Sequence, residues 1–219
     1  MPAIVFDMDG VLIDSERLVL KAWQHVGEEL ALPDLEPLFY KAIGTTHAHT
    51  ATLFADAFGQ DFDYIGFRDK VRAYFYDVLT ANGAPLKPGV RELLDWLKAE
   101  GWSIAIASST REAGVRLNME RTGLISYFDV IIGGDMLTVS KPAPDIYLRA
   151  CSDLGVDPRT AYAVEDSYNG IRSAHAAGMH ALMVPDMVPA TDEMRGLARA
   201  ILPDLVAVRD WLATREGKA

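Results

Sequence analysis

The chain has 219 residues, half of them hydrophobic, and a formal net charge of -10 at neutral pH. This length and apolar content can build one large domain or two modest ones. The acidic balance, without a basic stretch, argues against a nucleic-acid partner, and no apolar run approaches the length of a membrane-spanning helix.

The first part of the chain predicts one strand followed only by helices. "AIVF", at residues 3–6, is a short apolar run typical of a buried strand. Apolar residues then recur at helical spacing from residue 18 to residue 30, and "HTATLFADAF" and "FRDKVRAYFYDVL" repeat that period. We predict no strand between about residues 15 and 79. The Gly, Pro and Asn residues of "TANGAPLKPG" then indicate a linker.

From Pro88 onward, helices and strands alternate. The predicted order is helix "PGVRELLDWLKAEG", strand "SIAIA", helix "REAGVRLNMERTG", strand "FDVIIGG", helix "APDIYLRACSDLG", strand "TAYAV", helix "NGIRSAHAAG" and strand "HALMVP". The tail from about Asp192 is predicted to be mostly helical. This alternation predicts a parallel sheet covered by helices on both faces. Since the first strand belongs to the same sheet, we predict a Rossmann-like α/β core at 1–14 and 82–219, with an inserted all-helical cap at 15–81.

Polar side chains follow the ends of four predicted strands, where an open α/β sheet binds its ligands. In chain order they are Asp7 and Asp9; Ser108, Ser109 and Thr110; Asp135 and then Lys141; and Glu165 and Asp166. Carboxylates crowded together repel one another and are rarely buried without a partner. Carboxylates, a lysine and hydroxyls suit a phosphate and Mg²⁺, which prefers oxygen ligands. The sequence therefore predicts a magnesium and phosphate site at this edge.

Each of these features also has an ordinary structural explanation. Asp-Gly in "DMDG" is a common turn, and Ser108 after a strand is a typical helix N-cap. Lys141, before a proline, fits a solvated loop, and "EDS" fits a cap for the helix that starts near Asn169. Their joint placement at four strand ends favours the functional interpretation, because the structural one must explain each separately.

The four motifs together resemble the haloacid dehalogenase superfamily. They are "DMDGVLIDSE", "ASST", "SKPAPDIY" and "VEDSYNGI", in the order of that family and spread over nearly the whole chain. The similarity is greatest to its phosphatase and beta-phosphoglucomutase-like branch, which has a helical cap after the first strand. The resemblance implies a Rossmann-like core with a helical cap, and phosphoryl chemistry on a small phosphorylated metabolite. Sugar phosphates are the first expectation, with phosphoglycolate and nucleotide monophosphates behind them.

The resemblance also implies roles for individual residues. Asp7 matches the nucleophile that becomes an aspartyl phosphate, and Asp9 matches the general acid/base, whose backbone carbonyl also reaches the metal. Ser108, with Ser109 beside it, and Lys141 match the phosphate-binding positions. Asp166 matches the main distant Mg²⁺ ligand and Glu165 a less certain one, so Asp7, Asp9, Glu165 and Asp166 are the predicted metal site. Gly44, Thr45, Thr46 and His47 lie where this branch has cap residues that select the substrate.

Three alternatives remain beside an Mg²⁺-dependent phosphatase. The first is a hexose-phosphate mutase of the beta-phosphoglucomutase type. Such relatives carry a histidine that aligns with Val19 and an arginine near Thr46 or His47, and neither is present here. The second is a phospho-accepting receiver domain. That class has neither a helical insertion after its first strand nor an acidic pair such as Glu165 and Asp166 so far along the chain. The third is a non-catalytic relative, which the retention of every motif position disfavours.

The remaining expectations concern cell location and partners. The single cysteine, Cys151, excludes an internal disulfide framework and suits a reducing compartment, so we predict a cytoplasmic location. Its helical spacing with Tyr147 and Leu154 favours a core position over a nucleophilic role. We expect a monomer or weak homodimer that binds neither nucleic acid nor membrane.

Overall fold

The computed structural model describes residues 2–43, 45 and 47–216. The chain divides into two compact units. Met1–Asp14 with Pro85–Ala219 is called here the sheet unit, and Ser15–Ala84 the helical unit. The predicted second boundary, at residue 82, falls in the last turn of a helix that ends at Asn82.

The described residues of the sheet unit form one parallel sheet of six strands in the order β3-β2-β1-β4-β5-β6. The strands are β1 (Ala3–Phe6), β2 (Ser103–Ser108), β3 (Val130–Gly133), β4 (Ala161–Glu165), β5 (His180–Met183) and β6 (Ala200–Ile201). The predicted α/β class with a parallel sheet is confirmed. The first strand pairs with β2 on one side and β4 on the other, although 96 residues lie between Phe6 and Ser103 and 154 between Phe6 and Ala161.

The described helices lie between and after these strands along the chain. The helices are α1 (Ser15–Glu29), α2 (Glu36–Ala42), α3 (His47–Phe58), α4 (Tyr64–Asn82), α5 (Val90–Ala99), α6 (Glu112–Arg121), α7 (Asp145–Leu154), α8 (Tyr168–Ala176), α9 (Asp192–Leu197) and α10 (Leu205–Glu216). None of the described helices is long and apolar enough to cross a membrane.

Two short elements differ from the sequence predictions. Helix α2 lies between the periodic segments named in the sequence analysis, none of which covers its start, and Pro37 stands in its first turn, where a missing N–H costs no helical hydrogen bond. Strand β6 lies in a tail predicted to be mostly helical, and Leu182 of β5 pairs with Ala200. Two apolar residues carry too little periodicity to predict a strand, so only the neighbouring strand reveals it.

The buried residues explain why the alternating segments form this sheet. All four residues of β1 are buried, as the two-sided cover of a parallel strand requires. Small residues such as Ala105 and Ala163 flank β1 and let helix α7 pack closely through Tyr147 and Cys151, all in one apolar cluster. This packing fixes β1 in the centre of the sheet, where its carboxyl end carries Asp7.

The helical unit has an aromatic core of its own. Trp23 of α1 meets the rings of Phe39, Phe54 and Phe67 at centroid distances of 5.2, 5.0 and 5.5 Å. These are edge-to-face contacts, the arrangement that the ring quadrupoles favour. Phe54 is completely buried and also stacks on Phe62, at 5.3 Å. The apolar residues at helical spacing in this part of the sequence therefore pack together in one aromatic cluster.

Candidate active site

The predicted strand-end residues meet because their strands are neighbours in a parallel sheet. Phe6, the last residue of β1, is level with Ile106 of β2 and Val164 of β4. The backbone N–H of Asp7 continues this pairing by donating to the Val164 carbonyl at 2.9 Å. The carboxyl ends of these three strands consequently face the same edge of the sheet.

Lys141 connects the residues at these strand ends. Its ammonium donates to Oδ1 of Asp7 at 2.5 Å, to Oε1 of Glu165 at 2.7 Å and to the carbonyl of Ala107 at 2.9 Å. An ammonium has three donors, and each is used here. Because the Lys141 side chain is only 6% exposed, these contacts replace water. Lys141 is therefore a buried cation held by three strands, and its solvated-loop explanation is wrong.

The electrostatics of the cluster leave negative charge in excess. Burial raises the pKa of Asp7 to about 7 against the opposing effect of Lys141, and the nearby Glu165 and Asp9 raise it further. Burial also raises the pKa of Asp166 well above its usual value, with Glu165 and Asp7 adding to the effect. Burial lowers the pKa of Lys141, but Asp7 and Glu165 outweigh it and keep that pKa well above its ordinary value. One ammonium thus faces several carboxyl groups.

Glu165 is completely buried and surrounded by donors. Its Oε1 accepts from Lys141 and from the hydroxyl of Tyr147, at 3.0 Å. Its Oε2 accepts from the backbone N–H groups of Asp166 and Ser167, both at 3.1 Å, and from the Ser167 hydroxyl at 2.9 Å. A Cβ at Gly170 would overlap the Glu165 carboxylate, so a glycine makes room for it. Both oxygens of Glu165 are therefore engaged by the protein.

The turn after β1 brings Asp166 close to the first motif. Gly10 has a φ of +76°, and a Cβ there would overlap the Asp166 carboxylate, so a glycine is needed for both conformation and space. The turn is closed by the backbone N–H of Leu12, which donates to the Met8 carbonyl at 2.9 Å. The common-turn explanation of "DMDG" is thus correct for the backbone, and the turn also admits a carboxylate from another strand.

The Asp9 carboxylate contacts hydroxyl groups at the carboxyl end of β2. Its Oδ2 accepts from Oγ1 of Thr110 at 2.8 Å and from Oγ of Ser108 at 3.5 Å. The Ser108 hydroxyl also accepts from the backbone N–H of Thr110 at 3.1 Å. Helix α6 begins only at Glu112, with Arg111 at its N-cap, so Ser108 does not cap it. Ser109, the next residue, is exposed.

Other polar residues at the strand ends have local structural roles. Oδ1 of Asp135 accepts from the backbone N–H of Glu112 at 2.8 Å, at the start of α6. Ser167 caps α8, since its hydroxyl accepts from the backbone N–H of Gly170 at 3.0 Å. The cap explanation of "EDS" is therefore correct for Ser167, while the two acidic residues before it belong to the cluster.

A divalent cation fits the donor chemistry of this cluster. No three His, Cys, Asp or Glu side chains form a ready-made metal cluster among residues 2–43, 45 and 47–216. Mg²⁺ does not need one, because it is commonly held by one or two carboxylates, waters and a phosphate oxygen. Asp7, which is buried, and Asp166, which is half-buried, supply two carboxyl groups whose pKa values are raised by removal from water and by neighbouring carboxylates. An added positive charge would relieve that repulsion.

The helical unit contains a cavity of about 570 Å³. Aromatic side chains contribute much of its lining, and Val19, Thr45 and His47 also lie there. His47 is an exposed residue in the first turn of α3. Gly44 and Thr46, two of the predicted substrate-selecting residues, lie outside the described residues.

Comparison with known proteins places this arrangement in a family. The family model for haloacid dehalogenase-like (HAD-like) hydrolases matches residues 4–184, most of the chain. The chain belongs to that family. It is 33% identical over 183 residues to the phosphorylated carbohydrates phosphatase of Thermotoga maritima, covering 82% of each chain. It is 32% identical over 196 residues to the beta-phosphoglucomutase of Bacillus subtilis, covering 84% of this chain and 83% of the relative.

A solved structure extends this similarity to the fold. The HAD family hydrolase of Deinococcus radiodurans, crystallised with bound phosphate and sodium, superposes with a TM-score of 0.82. It is 27% identical and covers 97% of this chain and 95% of its own. The predictions of the family, of its α/β fold and of a HAD-like phosphatase enzyme are confirmed.

The site of this HAD-like hydrolase contains residues that the sequence analysis did not assign. Thr110 was noted at a strand end but given no role, and it donates to Asp9. Tyr147 was named only for its helical spacing with Cys151; it is buried in the core, yet its hydroxyl reaches Glu165. Ser167 was considered only as a cap. The sequence signal for Thr110 was that it directly follows Ser108 and Ser109 at a strand end. The helical spacing around Tyr147 gives no such signal, because an apolar core residue would have the same spacing.

Proposed function

We propose that this protein is an Mg²⁺-dependent phosphatase that hydrolyses a small phosphorylated metabolite, such as a sugar phosphate, through an aspartyl-phosphate intermediate. The observation that carries the proposal is Lys141, whose ammonium bridges Asp7 and Glu165 at the carboxyl edge of the sheet. A buried cation beside a carboxylate is the arrangement that phosphoryl transfer needs, since both the attacking group and the phosphoryl oxygens are anionic.

The first half of the reaction forms the intermediate. An oxygen of Asp7 attacks phosphorus, the bond from phosphorus to the leaving oxygen breaks, and Asp9 gives its proton to that oxygen. Lys141 and the Ser108 hydroxyl bind phosphoryl oxygens. The Thr110 hydroxyl donates to the Asp9 carboxylate at 2.8 Å and so orients this general acid. Ser109 stays a predicted phosphate contact through its position beside Ser108.

The second half returns the phosphoryl group to water. Asp9, now deprotonated, accepts a proton from water while the water oxygen attacks phosphorus. The bond between Asp7 and phosphorus breaks, which regenerates the carboxylate and releases inorganic phosphate. The same residue therefore serves as acid and then as base.

We propose Asp7 and Asp166 as the side chains that hold Mg²⁺, with the backbone carbonyl of Asp9, as the family resemblance implies. Bound Mg²⁺ supplies positive charge that offsets repulsion among the carboxylates and the substrate phosphate. Glu165 was also predicted as a ligand. Because five donors occupy its two oxygens, its contacts favour holding Lys141 in place over binding the metal.

The substrate class is proposed from the relatives. One is named a phosphorylated carbohydrates phosphatase, and a similar structure of CbbY from Rhodobacter sphaeroides contains phosphate. A monomer or weak homodimer in the cytoplasm, without nucleic-acid or membrane partners, stays a prediction from the sequence.

The experiment is a screen of phosphate monoesters with release of inorganic phosphate as the readout. The wild-type protein is compared with Asp7→Asn and with Asp153→Asn. Asp153 lies on the surface and pairs with Arg149 on the same helix, so it is a matched control for the substitution. We expect Asp7→Asn to lose turnover by many orders of magnitude and the control to keep it. Turnover retained by Asp7→Asn in a preparation free of contaminating phosphatase removes Asp7 from its role.

A second candidate function is a hexose-phosphate mutase, because a relative that is 32% identical is named beta-phosphoglucomutase. Val19 argues against it, since its apolar side chain stands where the mutase-like relatives carry a histidine. The two candidates differ in the acceptor of the phosphoryl group. Given hexose 1-phosphate and a hexose bisphosphate primer, a phosphatase yields free sugar and inorganic phosphate. Predominant hexose 6-phosphate would replace the phosphatase proposal with the mutase.

A further inference from the structure

The hydroxyl of Tyr147 is a polar group buried inside the apolar cluster behind the site. Tyr147 is completely buried in α7, together with Ile146, Ala150 and Cys151. Phenylalanine would fill the same apolar space, and a buried hydroxyl costs free energy unless it finds a partner. The partner here is Oε1 of Glu165, at 3.0 Å. The hydroxyl therefore contributes something that the core packing does not require.

Tyr147 contacts Lys141 as well as Glu165. The Lys141 ammonium lies 5.0 Å from the centroid of the Tyr147 ring, a cation–π distance. The same ammonium donates to Oε1 of Glu165, the oxygen that accepts from the Tyr147 hydroxyl. Tyr147 thus touches the cation with its ring and the anchoring carboxylate of that cation with its hydroxyl.

This shared oxygen determines how Lys141 divides its interactions. Glu165 and Asp7 each accept a hydrogen bond from the one ammonium, at 2.7 and 2.5 Å, so the position of the ammonium between them depends on how strongly each carboxylate attracts it. The hydrogen bond that the Tyr147 hydroxyl donates to Oε1 lowers the negative charge available on that oxygen. It thereby weakens the attraction between Glu165 and Lys141. Without that donor, Oε1 would attract the ammonium more strongly, and Asp7 and a phosphoryl oxygen would receive less of it.

We propose that Tyr147 is a positioning residue that holds Lys141 towards Asp7 through Glu165, and so sets the affinity of the site for a phosphoryl group. The inference rests on the proposed function of Lys141 as the phosphoryl-binding cation. Tyr147 itself lies behind the site and acts through its two neighbours.

The test compares Tyr147→Phe with Tyr127→Phe in the full-length chain. Tyr127→Phe is a matched control because its hydroxyl also donates to a carboxylate, that of Asp95, on the exposed surface. Inorganic phosphate is the probe, and its dissociation constant is measured by calorimetry in the presence of Mg²⁺. We expect Tyr147→Phe to weaken phosphate binding about tenfold and to lower kcat by a similar factor, the scale of a hydrogen bond to a charged group. The control should stay within twofold of wild type.

The same measurements separate positioning from a merely structural role. A structural role predicts a lower melting temperature with unchanged phosphate affinity and kcat at temperatures where the protein is folded, and that result overturns the inference. As a second variant, Lys141→Met removes the cation. If Tyr147 acts through Lys141, Tyr147→Phe should have less than a twofold effect on phosphate affinity in that background. A full tenfold effect there, or phosphate affinity of Tyr147→Phe equal to that of wild type, contradicts the proposal.

The phosphate titration also distinguishes this inference from the proposed function. It needs no turnover, so wild-type protein that binds phosphate but cleaves no monoester would refute the phosphatase proposal and still report on Tyr147. Wild-type protein that hydrolyses monoesters while Tyr147→Phe behaves as the control does would refute only the role of Tyr147.

Discussion

Replacing Asp7 by asparagine should stabilise the metal-free protein while it removes activity. The side chain keeps its size, but the buried carboxyl group can no longer ionise. Burial, opposed by Lys141, raises the pKa of Asp7 from 3.8 to about 7. As pH rises above 3.8, the unfolded chain therefore releases this proton before the folded protein does. The wild-type protein loses stability over that range, and the loss is complete above pH 7.

The size of the effect follows from the two pKa values. One pKa unit corresponds to 1.36 kcal/mol, so wild type loses roughly 2 kcal/mol by pH 5 and roughly 4 kcal/mol by pH 8. Asp7→Asn avoids both losses. Water that enters the ionised site and the altered contact with Lys141 reduce the gain, so we expect the variant to be about 2–4 kcal/mol more stable at pH 8. For a chain of this length, that is a rise in melting temperature of roughly 5–15 °C.

The assay is thermal denaturation followed by circular dichroism at pH 5 and pH 8, with excess chelator. Asp153→Asn, on the surface, should show no such growth in stability between the two pH values. Adding Mg²⁺ should stabilise wild type far more than Asp7→Asn, because a ligand stabilises the state that binds it. An Asp7→Asn variant that is less stable than wild type at pH 8, or a stability difference that does not depend on pH, would refute this link between the Asp7 pKa and stability.

Three further predictions concern the metal, the helical unit and the cysteine. Phosphatase activity should vanish in excess chelator and return with Mg²⁺ but not with Ca²⁺, which takes more ligands at longer distances; full activity in chelator would contradict the metal assignment. Phe54→Ala, at a completely buried position, should lower the free energy of unfolding by about 3–5 kcal/mol in a denaturant titration, whereas Ile65→Ala, at a position 63% exposed, should change it by less than about 0.5 kcal/mol. Burial and the nearby Asp157 raise the pKa of Cys151 to about 11. A thiol reagent at pH 8 should therefore label Cys151 only after the protein unfolds. Rapid labelling of the native protein would contradict this, because it would show that the thiol is accessible.

The sequence determined the class of the fold because its signal is local. An apolar run such as "AIVF" and the change of period after Ser15 are visible within short windows, and they predict strands and helices without knowledge of their neighbours. Parallel strands then leave few ways of arranging the polar residues that follow them, which is why Asp7 and Lys141 could be expected at one edge. The family motifs agree with this placement.

Only the tertiary structure decided which of these polar groups hold one another. Thr110 is 101 residues from Asp9, and Tyr147 is 18 from Glu165, so no local pattern links the members of either pair. Tyr147 has the helical spacing of any core residue, and Glu165 has the same sequence context whether it binds a metal or a lysine. A hydrogen bond needs atoms within about 3 Å. That precision comes from the pairing of β1 with β2 and β4 and from the packing of α7 against β1 and β2, which together place these side chains.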